Sequence, residues 1–297
     1  MEQRGVTRMT DGARVRWTVF GDAGGGQPPV VLLHGGPGLP DYLGDVARMV
    51  ADVVPGPVYR YDQRGTGGSP WRGRHSLARH VDDLVELLDA WGAPEAVPEA
   101  VLIGHSYGTD LASRFCLRHP DRVAAMLLMC GPFVGDWRAA YRAERDRRMS
   151  AAQRDRRRVL GDVPPTRRTE EQEVELLTLS WFTDHADPGR GWELAARAAG
   201  VRRPINWAMN GELGADGRED PLDGHLAALR ARLPARTELL AGSDDPRPVS
   251  ALASLAGRLG LPLTRIEGAG HEPWLERPDV VRACLRRFLG GVPPTHP

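Results

Sequence analysis

EAVLIGHSYGT, residues 99–109, is an apolar run that ends in a Gly-x-Ser-x-Gly pattern. With 35 Gly and nine Ser in 297 residues, random placement yields about 0.1 such patterns. Here the pattern also has an apolar strand directly before it and a helical pattern directly after it. A strand-to-helix turn of this kind needs small residues on both sides of the serine, because the backbone folds tightly there. It lifts the Ser106 oxygen off the sheet edge toward a substrate.

Working outward, five further apolar segments alternate with helical patterns: 28–36, 56–65, 123–131, 237–245 and 261–270. Leu77, Val81, Leu84, Leu88 and Trp91 are spaced four, three, four and three apart, which predicts a helix over 76–91. Other helices are expected near 42–52, 107–119, 249–260 and 278–289, the last opening on Pro278. This alternation predicts an α/β fold, a mostly parallel sheet with helices on both faces. No strand pattern appears between Gly131 and Pro234, where Arg138–Arg158 is dense in charge and Trp137, Trp181, Phe182, Trp192 and Trp207 supply apolar surface. The expected organisation is an α/β core at 1–132 and 235–290, a helical cap at 133–234 and a C-terminal tail at 291–297. A solvated linker is the alternative for the run Arg154, Arg156, Arg157, Arg158.

Composition narrows the chemistry. The chain has 39 basic and 39 acidic residues, so no global field draws it to nucleic acid or anionic lipid. Every basic residue is Arg. Without Lys there is no Schiff base and no phosphate-loop lysine, so no cofactor of those classes is expected. The longest apolar run, 124–130, is far short of the ~20 residues that cross a bilayer. MEQRGVTRMT lacks the apolar stretch of a secretory signal, and a cytoplasmic location is expected. Cys116, Cys130 and Cys284 are odd in number and never form C-x-x-C, so they read as small core residues.

A serine hydroxyl needs a base and an acid to orient that base. Asp245 follows the segment TELLAGSD, and His271 follows LPLTRIEGAG, each at the carboxyl end of a predicted strand where open α/β sheets assemble their sites. Asp244 and Asp136 compete for the acid's role, but Asp245 has Gly242 before it and Pro246 after it to shape a short loop. His75 and His80 are five apart and no H-E-x-x-H occurs, so no metal is expected. The loop His34-Gly35-Gly36-Pro37-Gly38 follows an early strand. With the N–H of Tyr107, Gly36 is the candidate oxyanion donor, since Pro37 has no N–H. Gly35, Trp181, Phe182 and Trp207 are the candidate substrate-binding residues.

Read together, HGGPG (34–38), DQRGTGGS (62–69), GHSYGT (104–109), GSDDP (242–246) and GAGHEPWLERP (268–278) resemble the α/β-hydrolase superfamily, and within it the proline iminopeptidase group. The resemblance implies a structural loop at Asp62, Gln63, Arg64 and Gly65, a helical cap over the site, and aminopeptidase activity on a small or short-peptide substrate. In that group, acidic cap residues hold the substrate's amino group. No glutamate motif of the group aligns here, and Glu170, Glu171, Glu173, Glu175 and Glu212 are candidates only by charge, competing with pairing to nearby Arg. An esterase or lactonase with the same triad is the alternative enzyme, and a ligand-binding protein on the same fold is the alternative from another class. Epoxide hydrolases and haloalkane dehalogenases share the fold but use a carboxylate nucleophile, which Ser106 is not. The oligomeric state is left open.

Overall fold

A computed structural model describes residues 2–21, 28–92 and 99–292. Eight strands form one sheet: β1 (Glu2–Arg8), β2 (Arg14–Phe20), β3 (Val30–Leu33), β4 (Val58–Tyr61), β5 (Ala100–His105), β6 (Val123–Met129), β7 (Thr237–Gly242) and β8 (Leu263–Ile266). Their spatial order is β1-β2-β4-β3-β5-β6-β7-β8, with β1–β2 and β2–β4 antiparallel and the remaining pairs parallel. All six expected strand segments are present. The helices are α1 (Gly44–Ala51), α2 (Leu77–Trp91), α3 (Tyr107–Arg118), α4 (Trp137–Arg147), α5 (Ala151–Asp162), α6 (Glu170–Trp181), α7 (Pro188–Val201), α8 (Trp207–Glu219), α9 (Leu226–Arg232), α10 (Val249–Leu259), α11 (Pro273–Glu276) and α12 (Pro278–Leu289).

Strand β5 is buried at every position, as a strand covered on both faces must be. Its Leu102 joins Leu84 and Leu88 of α2, Phe115 of α3 and Leu255 of α10 in one apolar cluster. Its Val101 and Ile103 join Val46 and Val50 of α1 and Leu285 and Phe288 of α12 in another, on the opposite face. The sheet therefore carries a packed layer on each side, and its carboxyl edge is left for the loops.

The hairpin β1–β2 extends the sheet beyond the expected strands. Its outer strand is largely exposed, which is why hydrophobic content gives it no signal. What holds it is specific: the Trp17 indole lies where a side chain on Gly5 would sit, and its Nε1 donates to Thr7 Oγ1 at 3.0 Å.

The Arg-rich stretch is helical. Helix α5 opens on a capping box in which Ser150 and Gln153 satisfy each other's backbone N–H groups, and Arg156 pairs with Glu175 of α6 at 2.5 Å. Helices α5, α6 and α7 share a small apolar cluster, to which Leu160, Leu179 and Ala195 contribute. Leu222, Leu226 and Leu229, which precede Pro234, pack in the cluster that holds Phe115. Of the expected tail, residues 293–297 lie outside the described residues. Among the described residues no helix is long and apolar enough to cross a membrane.

Candidate active site

Ser106 sits between β5 and α3 with φ 55° and ψ −121°, a backbone conformation that a non-glycine residue adopts only when its surroundings hold it there. The two glycines of the pattern make room for it. A side chain on Gly104 would lie 2.5 Å from the Gly108 carbonyl oxygen, and one on Gly108 would lie 1.9 Å from the Leu33 carbonyl oxygen. The Ser106 N–H donates to the Met129 carbonyl at 3.0 Å, which fixes the turn to the neighbouring strand β6.

His271 Nδ1 lies 2.6 Å from Asp245 Oδ2, and both side chains are buried. The other oxygen, Asp245 Oδ1, accepts from the Arg247 N–H at 2.9 Å and from its guanidinium at 3.3 Å. Burial works against the Asp245 carboxylate, but the facing His271 and Arg247 outweigh it and hold the group below its usual range. With Nδ1 donating to Asp245, Nε2 of a neutral His271 is left as the basic nitrogen. Of the rival acids, Asp244 Oδ2 instead accepts from Ser243 Oγ at 2.7 Å, and Asp136 is exposed before α4.

A directed hydrogen-bond chain ties the loops around Ser106 together. The Gly35 N–H donates to the Tyr42 hydroxyl (2.9 Å), which faces His105 Nδ1 (2.6 Å), while His105 Nε2 faces the His271 carbonyl (2.8 Å). A carbonyl can only accept, so Nε2 carries the His105 proton and Tyr42 donates to Nδ1. Burial first, and the neighbouring His271 second, push the His105 ring down to about 3, so it stays neutral. The segment at 62–65 braces the other side: the Gln63 N–H donates to His34 Nε2 (3.1 Å) and Gln63 Nε2 donates to the His34 carbonyl (2.8 Å), just before the glycine loop. Arg64 is buried between Asp83 and Asp11.

Ser106 and Gly36 lie at the junction of two cavities. The smaller, about 80 Å³, also reaches His271, Trp181, Asp184, His185, Arg202 and Glu272. The larger, about 500 Å³, runs past Tyr107, Phe133, Trp137 and Leu213. Both carboxylates of the small cavity are already paired, Asp184 with Arg247 (3.1 Å) and Glu272 with Arg202 (2.7 Å). Burial opposes charge on Glu272, but the Arg202 cation wins and holds it at about 2. Burial likewise lowers the His185 imidazole, yet Glu276 at 3.7 Å, together with Glu272 and Asp184, leaves it above its ordinary value.

The alpha/beta hydrolase family profile matches residues 30–283. This chain belongs to the alpha/beta hydrolase family. It is 36% identical over 123 residues to a proline iminopeptidase of Heyndrickxia coagulans, a match that covers 39% of this chain and 39% of that protein's length. It is 27% identical over 242 residues to a Caulobacter vibrioides protein bearing the name carbamate hydrolase RutD, covering 80% of this chain and 81% of the relative. A proline iminopeptidase-related protein from Thermus thermophilus superimposes with a TM-score of 0.69 at 21% identity, covering 98% of each chain. A 2-hydroxy-6-oxo-6-phenylhexa-2,4-dienoate hydrolase from Rhodococcus superimposes with a TM-score of 0.70 at 18% identity, covering 98% of this chain and all of that one. The structural likenesses carry the fold.

Within this alpha/beta hydrolase the expected substrate-binding residues separate. Trp181 lines the small cavity and, with Trp207, a neighbouring cavity of about 310 Å³. Phe182 instead turns into the cap's own cluster beside Leu160 and Leu179, because its position after α6 faces inward. Gly35 acts as a spacer: its N–H is taken by Tyr42, and a side chain there would lie 2.8 Å from Ser106 Cβ. The five glutamates do not meet at the site. Glu170, Glu173 and Glu175 pair with Arg203, Arg168 and Arg156, Glu212 accepts from the His75 N–H, and Glu171 is exposed at the start of α6. Tyr42, Asp184, Arg202 and Arg247 carried no sequence signal. His105 stood in plain view inside the GHSYG pattern. Among the described residues, one trio of metal-ligating types converges, His105, Cys130 and His271. Both ring nitrogens of His105 are already engaged, so the trio offers no free ligand set.

Proposed function

We propose that this chain is a serine hydrolase that transfers the acyl group of a small uncharged ester or amide to water. Ser106 Oγ attacks the carbonyl carbon while His271 Nε2 takes its proton, and Asp245 keeps the imidazole in the tautomer that can do so. The N–H groups of Gly36 and Tyr107 face the oxyanion that forms, each donor being worth about 3 kcal/mol in a site of this kind. His271 then returns its proton to the leaving group, and water repeats the sequence on the acyl-enzyme. The observation that carries this reading is the buried 2.6 Å contact between His271 and Asp245, with a strained Ser106 opening on the same cavity as His271.

The uncharged substrate follows from the paired carboxylates. Glu272 is paired with Arg202, and Asp184 shares Arg247 with Asp245, so a substrate ammonium would have to compete with these guanidiniums for a partner. The second reading, a proline iminopeptidase, is favoured by the 36% identical relative and by the HGGPG and DQRG segments. Those segments build the floor around Ser106 and leave specificity to other residues.

A fluorophosphonate should label the wild-type chain and fail on Ser106→Ala. Unlabelled wild type, or a labelled variant, overturns the mechanism. Comparing kcat/KM for p-nitrophenyl acetate, prolyl 2-naphthylamide and N-acetylprolyl 2-naphthylamide addresses the substrate. The ester should be turned over, and acetylation of the prolyl amine should not reduce the rate; a strong preference for the free amine establishes the aminopeptidase instead.

A further inference from the structure

The two cavities that meet at Ser106 are unequal, and only one of them reaches the proton donor. His271 lines the 80 Å³ cavity and is not among the residues that line the 500 Å³ one. In acyl transfer through a serine, the bond that breaks releases an oxygen or nitrogen that must lie within hydrogen-bond reach of the imidazole. The leaving group therefore belongs on the His271 side, and the acyl chain on the other. Ligand-sized pockets run roughly 300–1,000 Å³, a range that includes the larger cavity and excludes the smaller. We infer that this hydrolase is specific for substrates with an extended acyl group and a small leaving group, such as methyl esters or simple amides of medium-chain acids. The inference rests on the serine-hydrolase reading above, and it runs against the iminopeptidase partition, in which a small acyl group parts from a large amine.

Two features of the cavity walls support the asymmetry. Helix α8 carries Gly211, Gly214 and Gly217 on the side facing the large cavity. Glycine is a poorer helix former than Ala at an interior position. Packing does not demand them: a side chain at Gly211 or Gly217 would meet nothing within 4 Å, and one at Gly214 would meet only the end of Arg218, at 3.5 Å. What the glycines supply is room beside the acyl chain. On the opposite side, Gly36, Leu39 and Trp181 line both the small cavity and the neighbouring 310 Å³ cavity. Trp181 is the bulky member of that shared wall, and it keeps the leaving-group space from opening into its neighbour.

The chemistry balances without a further reactant. Water adds to the acyl carbon, the bond to the small alcohol or amine breaks, and His271 carries the proton between them.

The test uses the full chain and two isomeric esters that divide the same atoms in opposite ways, methyl hexanoate and pentyl acetate. Wild-type kcat/KM should favour methyl hexanoate by at least tenfold. Equal rates, or a preference for pentyl acetate, overturn the inference while leaving the serine mechanism standing. Failure of fluorophosphonate labelling together with no turnover of either ester overturns both. Two variants read the walls separately. Gly214→Leu should lower kcat/KM on methyl hexanoate at least fivefold more than on methyl acetate, and Trp181→Ala should shift the ratio toward pentyl acetate. If Trp181→Ala fails to fold, Trp181→Leu reads the same ratio. Unchanged ratios in folded variants mean that these walls do not set the partition and overturn it.

Discussion

The floor that carries Ser106 and the cap above it are held by different forces. Beneath the site, β5 is clamped between two apolar layers, and the polar groups that approach it are buried in fixed partnerships such as Gln63 with His34. In the cap, small clusters around Leu160 and Leu179 and around Met209 and Leu213 are supplemented by arginine pairs at the surface, among them Arg156–Glu175 and Arg203–Glu170. Close packing resists any displacement, whereas exposed ion pairs are individually weak and screened by salt. The contrast teaches where packing is concentrated: Ser106, Asp245 and His271 follow strands of the close-packed sheet, while α5, α6 and α7 rest on a smaller apolar cluster and on ion pairs.

The largest expected effect is on the floor. Asp245→Asn should lower kcat by about 10⁴-fold, since an amide favours the wrong imidazole tautomer and cannot stabilise the imidazolium. Asp244→Asn, whose carboxylate serves Ser243, should change kcat less than tenfold. Steady-state kinetics on one ester separates the two, and the reverse order moves the acid by one residue.

Stability probes the same contrast. Leu102→Ala, fully buried in β5, should destabilise the chain by about 2–5 kcal/mol in urea unfolding. Leu179→Ala in the cap should cost less globally while raising KM; equal losses would mean that floor and cap unfold as one tightly packed unit.

Acid should attack the floor through its buried neutral histidines. Burial, then the nearby His75 and Arg64, push His80 down to about 3, against an ordinary value of 6.5. Between those values the unfolded chain binds a proton that the folded chain refuses, so stability falls as pH falls, by about 1.4 kcal/mol per unit for each such group. His80→Gln should flatten the decline between pH 6.5 and 4.5, and an unchanged slope assigns the acid sensitivity elsewhere.

The smallest effect belongs to the cap surface. Arg156→Ala removes a pair whose arginine is 49% exposed. Its loss should shift the urea midpoint least of all these variants, and less still in high salt.

The difference between floor and cap also explains what the sequence disclosed. Strands β3 to β7 are short and largely buried, so their apolar runs were legible, and of the residues named from segment ends the structure brings His271 and Asp245 to 2.6 Å of each other. The hairpin β1–β2 was not, since an exposed edge strand needs no apolar run; the alternation Arg14-Val15-Arg16-Trp17 was its only mark. Phe182 was assigned to a substrate wall because composition cannot say which way a ring turns after a helix ends. Arg247 and Asp184 lie 63 residues apart, and nothing local in either segment announces their pairing.

That pairing ties two distant segments together. Arg247 grips Asp184 of the cap and Asp245 of the floor at once, and the Asp184 carbonyl also receives the His271 N–H at 2.7 Å. Lifting the cap strips the guanidinium of one carboxylate and the base of its backbone seat. The two carboxylates share one cation, so a proton added to Asp245 leaves the guanidinium more wholly to Asp184. A single arginine thus joins the loop that follows β7 to the turn that follows α6.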